Sequence, residues 1–144
     1  MDEWQYSPLW SEEELLNGGY SGFVYMFYFP DSDQVYIGSK QLYKRIKEAK
    51  KIKPDSKEND WRDYSSSSNL VNQKIENGER YVRTVLWAFP SMRETLLVES
   101  VLITSQILKS NCLNLALMNK IRAPNAANKA HLFGIVQNIL EWID

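Results

Sequence analysis

The chain has 144 residues, 44% of them apolar and 24% charged, and a net charge of −1. That size suits one domain with one sizeable core, and the composition is that of an ordinary soluble globular protein. No apolar run nears the roughly 20 residues needed to cross a bilayer, so no membrane partner is expected. The acidic start, with Asp2, Glu3, Glu12, Glu13 and Glu14, has none of the marks of a secretory signal. A lone cysteine, Cys112, excludes an internal disulfide and fits a reducing, cytoplasmic compartment. Among Leu113, Leu115 and Leu117 it reads as a buried structural thiol. The near-neutral charge argues against an extended nucleic-acid scaffold, because such binders gain affinity by neutralising phosphates.

In chain order, Ser11 caps a short helix with Glu14 completing a capping box, and Gly18-Gly19 ends it. Phe23 to Phe29 is aromatic-rich and predicts a strand. Pro30-Asp31-Ser32-Asp33 is a turn, and Gln34 to Ile37 returns as the second arm of a hairpin. A helix is predicted from about Lys40 to Ala49, followed by a polar loop over Pro54 to Asp60. Ser67 or Ser68 caps a further helix ending at Gly78. Tyr81 to Phe89 reads as a third strand stopped by Pro90. Ser91 and Glu94 form a second capping box, opening a long helix to about Ser110. Beyond Pro124, Asn128 to Ile143 is amphipathic, with Leu132, Val136, Ile139 and Ile143 on its apolar stripe beside Phe133 and Leu140. The order β-β-α-α-β-α-α predicts an α+β fold, a small three-stranded antiparallel sheet flanked by helices.

Charge is unevenly spread along this order. Lys40, Lys44, Arg45, Lys47, Lys50, Lys51 and Lys53 place seven of the seventeen basic residues within fourteen positions, opposed only by Glu48. Such a run is either a solvated helix face or a phosphate-facing patch. In the long helix, Met92, Leu96, Ile103 and Ile107 recur at helical spacing, and Glu99 falls on that stripe. A carboxylate there needs either a salt bridge to the basic segment or a hard divalent cation held with several waters. Tyr25 and Tyr36 stand one on each arm of the hairpin, which is ordinary for strands taken alone. Gly38, directly after Tyr36-Ile37, removes side-chain bulk where a phosphate could approach. A phenol has a free pKa near 10, so a base role requires nearby cations such as Lys40, Lys44 and Arg45. Arg45, with its planar fork, suits two phosphate oxygens. The only histidine, His131, reads as a surface or edge residue of the last helix, and no CxxC, P-loop or GxGxxG is present.

The stretch from Gly22 to Arg45 resembles the GIY-YIG nuclease module, with Gly22-Phe23-Val24-Tyr25 and Tyr36-Ile37-Gly38 standing at its two name-giving motifs. Trp61-Arg62-Asp63-Tyr64 with Ser67-Ser68 is similar to a subgroup common in large phages, in which W-x-x-Y-x-G-S-S follows a basic loop. Here Ser66 replaces that glycine, and Ala49 stands where the family often has a histidine or tyrosine. The similarity runs over roughly residues 20 to 115.

The resemblance implies metal-dependent hydrolysis of DNA using Mg²⁺ or Mn²⁺. Tyr25 or Tyr36 would help deprotonate the attacking water, Arg45 would bind the scissile phosphate, and Glu99 would be the metal ligand. Gly38, Lys40, Lys44, Tyr64 and Asn114 would support them, with Asn111 and Asn119 as rivals to Asn114. Lys47, Lys50, Lys51 and Lys53 would contact DNA. The implied layout is an N-terminal extension over 1–20, a nuclease domain over 21–118 and a helical extension packed on it over 119–144. A homodimer or a DNA-reading partner would supply site preference. The alternatives are a GIY-YIG-derived DNA-binding or regulatory protein that no longer cuts, and an inhibitor acting by protein interaction.

Overall fold

The computed structural model describes residues 2–115 and 123–143. Asn119, Leu117 and the expected boundary between residues 118 and 119 lie outside them. Strands β1 (Gln5–Tyr6), β2 (Gly22–Phe29), β3 (Gln34–Gln41) and β4 (Val82–Phe89) form one sheet in the order β1-β4-β2-β3. β2 pairs antiparallel with both neighbours, and β1 adds parallel to β4. The sheet therefore has four strands and is mixed, where three antiparallel strands were expected. Two residues are too few to show a period of two, so β1 carries no sequence signal.

The helices are α1 (Glu12–Asn17), α2 (Asn69–Glu76), α3 (Met92–Gln106) and α4 (Ala126–Ile143). Their starts follow local chemistry: Ser11, Ser68 and Ser91 each accept from the backbone N–H three residues on. At Ser91 the hydroxyl also donates to Glu94 Oε1 at 2.8 Å, a side-chain bond in place of the reciprocal backbone bond of a capping box.

β2 is covered on both faces, which is why it reads as a continuous apolar run. Val24 and Met26, with Ile37 of β3, pack against Val98 and Leu102 of α3 and Val136 and Ile139 of α4. Phe23, Tyr25, Phe27 and Phe29 point the other way, into a cluster with Trp4, Leu42, Trp61 and Val85. Along α3 the buried residues are Thr95, Val98, Leu102, Ile103 and Gln106, while Leu96 and Ile107 are half-buried. The expected stripe is thus displaced by one residue, and Glu99 is half-buried on its flank. Both the sheet and α4 press on α3, and the two contacts together widen the apolar arc beyond one stripe. The helix stops at Gln106, short of the expected Ser110.

The helix expected over Lys40 to Ala49 is absent. β3 continues to Gln41, and Leu42 is then buried as an anchor. From there the chain makes a closed loop: Asn59 donates to the Leu42 carbonyl at 2.8 Å and Lys44 to the Lys57 carbonyl at 2.9 Å. Arg45 has φ +65°, a left-handed conformation no α-helix can contain, and only the short 3₁₀ turn Ala49–Lys51 is helical. Ladder bonds to β2 and the loop's own cross-bonds satisfy backbone groups that a helix would have paired internally, and the repulsion among seven cations disfavours a helix further.

One buried charge ties the second layer together. Arg83 of β4 is 2% exposed. Its guanidinium donates to the carbonyls of Arg62 at 2.6 Å, Tyr64 at 2.7 Å and Asp2 at 2.7 Å, and it lies 4.4 Å from the Trp4 ring centre. Replacing it with methionine would leave three carbonyls without their donor. We expect Arg83→Met to cost about 3 kcal/mol, read as a lower urea midpoint with an unchanged denaturant slope.

Candidate active site

The β2–β3 register sets the site. Tyr25 lies opposite Gly38, Phe27 opposite Tyr36 and Phe23 opposite Lys40, so these side chains share one face of the hairpin. A Cβ on Gly38 would fall 2.4 Å from both Cζ and Oη of Tyr25. The phenol therefore lies directly across the glycine, in space any other residue would fill. Tyr36 stands beside it, with ring centres 6.5 Å apart.

The segment from Trp61 to Ser68 closes over this face. The Trp4 indole donates to the Trp61 carbonyl at 2.9 Å, and Trp61 donates to Glu58 at 2.7 Å. With Arg83 gripping the Arg62 and Tyr64 carbonyls, Tyr64 is brought edge-on to Tyr25 at 6.0 Å. Lys40 Nζ sits 4.3 Å from the centre of the Tyr64 ring. Lys40, Tyr25, Tyr36, Gly38 and Tyr64 thus converge on one face, as a phosphate-handling site would require.

Burial pushes the Tyr25 hydroxyl well above the ordinary phenol range, and the neighbouring Tyr64 and Tyr36 push it further. The Ser66 hydroxyl acts the other way by favouring the anion. At neutral pH Tyr25 is therefore a neutral donor, contrary to the expectation that cations would lower it. The half-exposed Tyr36 is the member of the pair that can meet solvent. Burial pushes the Lys40 ammonium down, partly offset by Asp60.

The remaining basic residues stand away from this cluster. Arg45 is exposed on its turn, and no hydrogen bond or ion pair holds its guanidinium among the described residues. Lys44, Lys47, Lys50, Lys51 and Lys53 are all exposed, and only Lys50 and Lys51 approach a carboxylate, Glu48, at 3.9 and 3.7 Å. Asn114 is buried and staples the edge of β3, accepting from Ile37 N at 2.9 Å and donating to the Ile37 carbonyl at 2.8 Å. That sets the backbone one residue before Gly38. Asn111 bonds farther down the same edge, its carbonyl accepting from Val35 N at 2.9 Å.

Glu99 belongs to the other layer, on a helix whose buried side faces Val24, Met26 and Ile37. No group of three or more His, Cys, Asp or Glu side chains capable of caging a metal occurs among the described residues. A single carboxylate completed by waters and substrate oxygens is nonetheless a donor set that Mg²⁺ accepts. His131 is exposed, as expected. Cys112 is half-buried against the core, its thiol 3.5 Å from Asn114 Oδ1.

Two residues of the site escaped the sequence reading. Ser66 stood out only as a departure from a glycine, yet its hydroxyl reaches Tyr25. Arg83 lies two positions before buried Val85, so the alternation of β4 aims it inward. That inward charge was the available signal.

A family model described as "Putative endonuclease segE, GIY-YIG domain" matches residues 4–121. The chain belongs to this GIY-YIG family, and its domain is of a nuclease class. No curated protein and no solved structure matches it at a significant level.

Gly38→Ala would drive a methyl into the Tyr25 phenol. We expect it to destabilise the protein by about 1–3 kcal/mol, measured by urea denaturation, while Tyr25→Phe in the same background restores part of the loss. A pH dependence follows from the raised phenols. Tyr6 and Tyr20 are pushed up to about 12, by burial first and then by Glu12 for Tyr6 and by the hydrogen bond to Glu14 for Tyr20. Folding then favours the protonated phenols. Their contribution is complete below the free value of 10.0 and is lost as pH rises towards 12. Chemical denaturation should show stability flat across neutral pH and falling in that window.

Proposed function

We propose that the protein is a metal-dependent DNA endonuclease or nickase, using Mg²⁺ or Mn²⁺ and encoded by a phage or a related mobile element. The observation that carries this reading is the placement of Tyr25 on Gly38, beside Tyr36 and Tyr64 and with Lys40 over the latter ring. Gly38 leaves the room in which the Tyr25 phenol sits. Tyr36, at the solvent side of the face that also carries Lys40, orients the attacking water through its hydroxyl. Tyr25, held neutral, orients the cluster by hydrogen bonding. Arg45, exposed on its turn, would bind the scissile phosphate. Glu99, whose helix lies across the sheet from the tyrosines, would hold the metal, which when bound would supply charge stabilisation to the reaction. Lys44, Lys47, Lys50, Lys51 and Lys53 contact flanking phosphates. Site preference comes from a second copy or a DNA-reading partner.

A second reading is a DNA-binding or regulatory protein of the same family that no longer cuts. The position of Arg45 on an exposed turn, rather than on a helix beside the tyrosines, favours it. One assay separates the two: incubation with supercoiled plasmid, with Mg²⁺ and with chelator. We expect nicking only with metal, and loss of nicking in Glu99→Ala with the thermal midpoint unchanged. Undiminished nicking by Glu99→Ala would remove the metal role. Salt-sensitive DNA binding without any metal-dependent cut would establish the second reading.

A further inference from the structure

A cleft of about 580 Å³, lined by none of the tyrosine-site residues, lies between the N-terminal segment, β4 and α4, with Trp10 and Tyr20 packed on the tyrosine-side core and Trp87 on the other. Its wall is aromatic: Trp10 meets Tyr20 at 5.0 Å and Trp87 at 5.4 Å between ring centres. Two carboxylates line it. Glu14 accepts from the Tyr20 hydroxyl at 2.9 Å, and Glu94 is held by Ser91 at 2.8 Å and by Asn128 at 3.5 Å. These bonds orient both carboxylates and leave each with lone pairs to spare. Trp10 also carries a buried indole N–H without a hydrogen-bond partner among the described residues. Such an orphan donor is uncommon in a folded protein and needs an acceptor.

The rim is basic. Pro90, which lines the cleft, accepts from Ala49 N at 2.7 Å, and Met92 N donates to the Lys47 carbonyl at 2.8 Å. The exposed Lys47, Lys50 and Lys51 are therefore fixed beside the opening. An aromatic wall next to a cationic track is how single-stranded nucleic acid is bound, bases on rings and phosphates on lysines. The two carboxylates add selectivity, since they accept from an exocyclic amino group and repel a carbonyl edge. An arginine side chain of a protein partner would satisfy the carboxylates. It offers no acceptor to the orphan N–H.

We propose that this cleft binds an unstacked nucleobase bearing an amino group next to a ring acceptor, as in cytosine, from a strand whose phosphates run along the Lys47–Lys51 segment. The inference rests on DNA being the protein's ligand. It gives the chain a base-reading element apart from the tyrosine site.

The test uses the full chain, with fluorescence anisotropy of labelled single strands of oligo(dC), oligo(dT) and an abasic tract of equal length, at low salt without metal. Tryptophan quenching on the same samples reports stacking. We expect oligo(dC) to bind roughly tenfold more tightly than oligo(dT), the abasic strand to bind weakest, and quenching to follow the same order. Glu14→Gln and Glu94→Gln, which keep an acceptor for Tyr20 and Ser91 respectively, should each shrink the preference for cytosine. Their plasmid nicking should be unchanged. Equal binding of all three strands would overturn the inference, as would wild-type discrimination in both variants or capture of an arginine peptide with no base discrimination. Discrimination without plasmid nicking would count against the nuclease reading alone, and nicking without discrimination against the cleft alone.

Discussion

A guanidinium shut inside a protein must have its donors met, and that requirement at Arg83 organises one side of this fold. The side chain is desolvated, which lowers its pKa, yet three carbonyls and the face of Trp4 surround it. Those carbonyls come from the N-terminus and from the Trp61–Tyr64 segment, neither of which has enough regular structure to place itself. Tyr64 reaches Tyr25 because Arg83 holds the backbone beneath it. The chemistry-bearing face is thus held by a charge that itself touches no catalytic group.

The second constraint is absence of volume. Tyr25 occupies the space a Cβ on Gly38 would need, so glycine there is a packing requirement before it is a phosphate-access device. The same contact buries the Tyr25 phenol and raises its pKa, whereas the half-exposed Tyr36 is left facing solvent. Since side chains alternate across the sheet, Trp87 faces away from Tyr25, and the aromatic cleft forms apart from the tyrosine cluster. The basic segment links the two layers at the sheet's edge through its bonds to Pro90 and Met92.

Local rules were legible wherever the deciding partner lay within four residues. The serine caps at Ser11, Ser68 and Ser91, the hairpin turn and the positions of three of the four strands were readable because each depends on neighbours in sequence. The pairing of Tyr25 with Gly38 emerged only from the hairpin register. The basic helix failed because its competitor was remote: β3 drew Gln41 into the ladder, and Leu42 and Lys44 found partners at Asn59 and Lys57. The stripe on α3 was displaced for a related reason, since two layers press on that helix and no single period describes its arc. Ser66 was seen only as a missing glycine, because its value lies in a hydroxyl reaching a residue some forty positions away.

Composition, caps, turns and the spaced tyrosine motifs were enough to indicate an α+β domain of the GIY-YIG family, because these signals are written in short-range chemistry. Tertiary packing decided that the basic segment is a loop, that Arg45 stands exposed, and that Tyr25 is buried and neutral. It also decided that β1 joins the sheet and that Arg83 holds Tyr64 in place. Each of these turns on burial and on hydrogen bonds between distant segments, and desolvation acquires a magnitude only once the layers have closed.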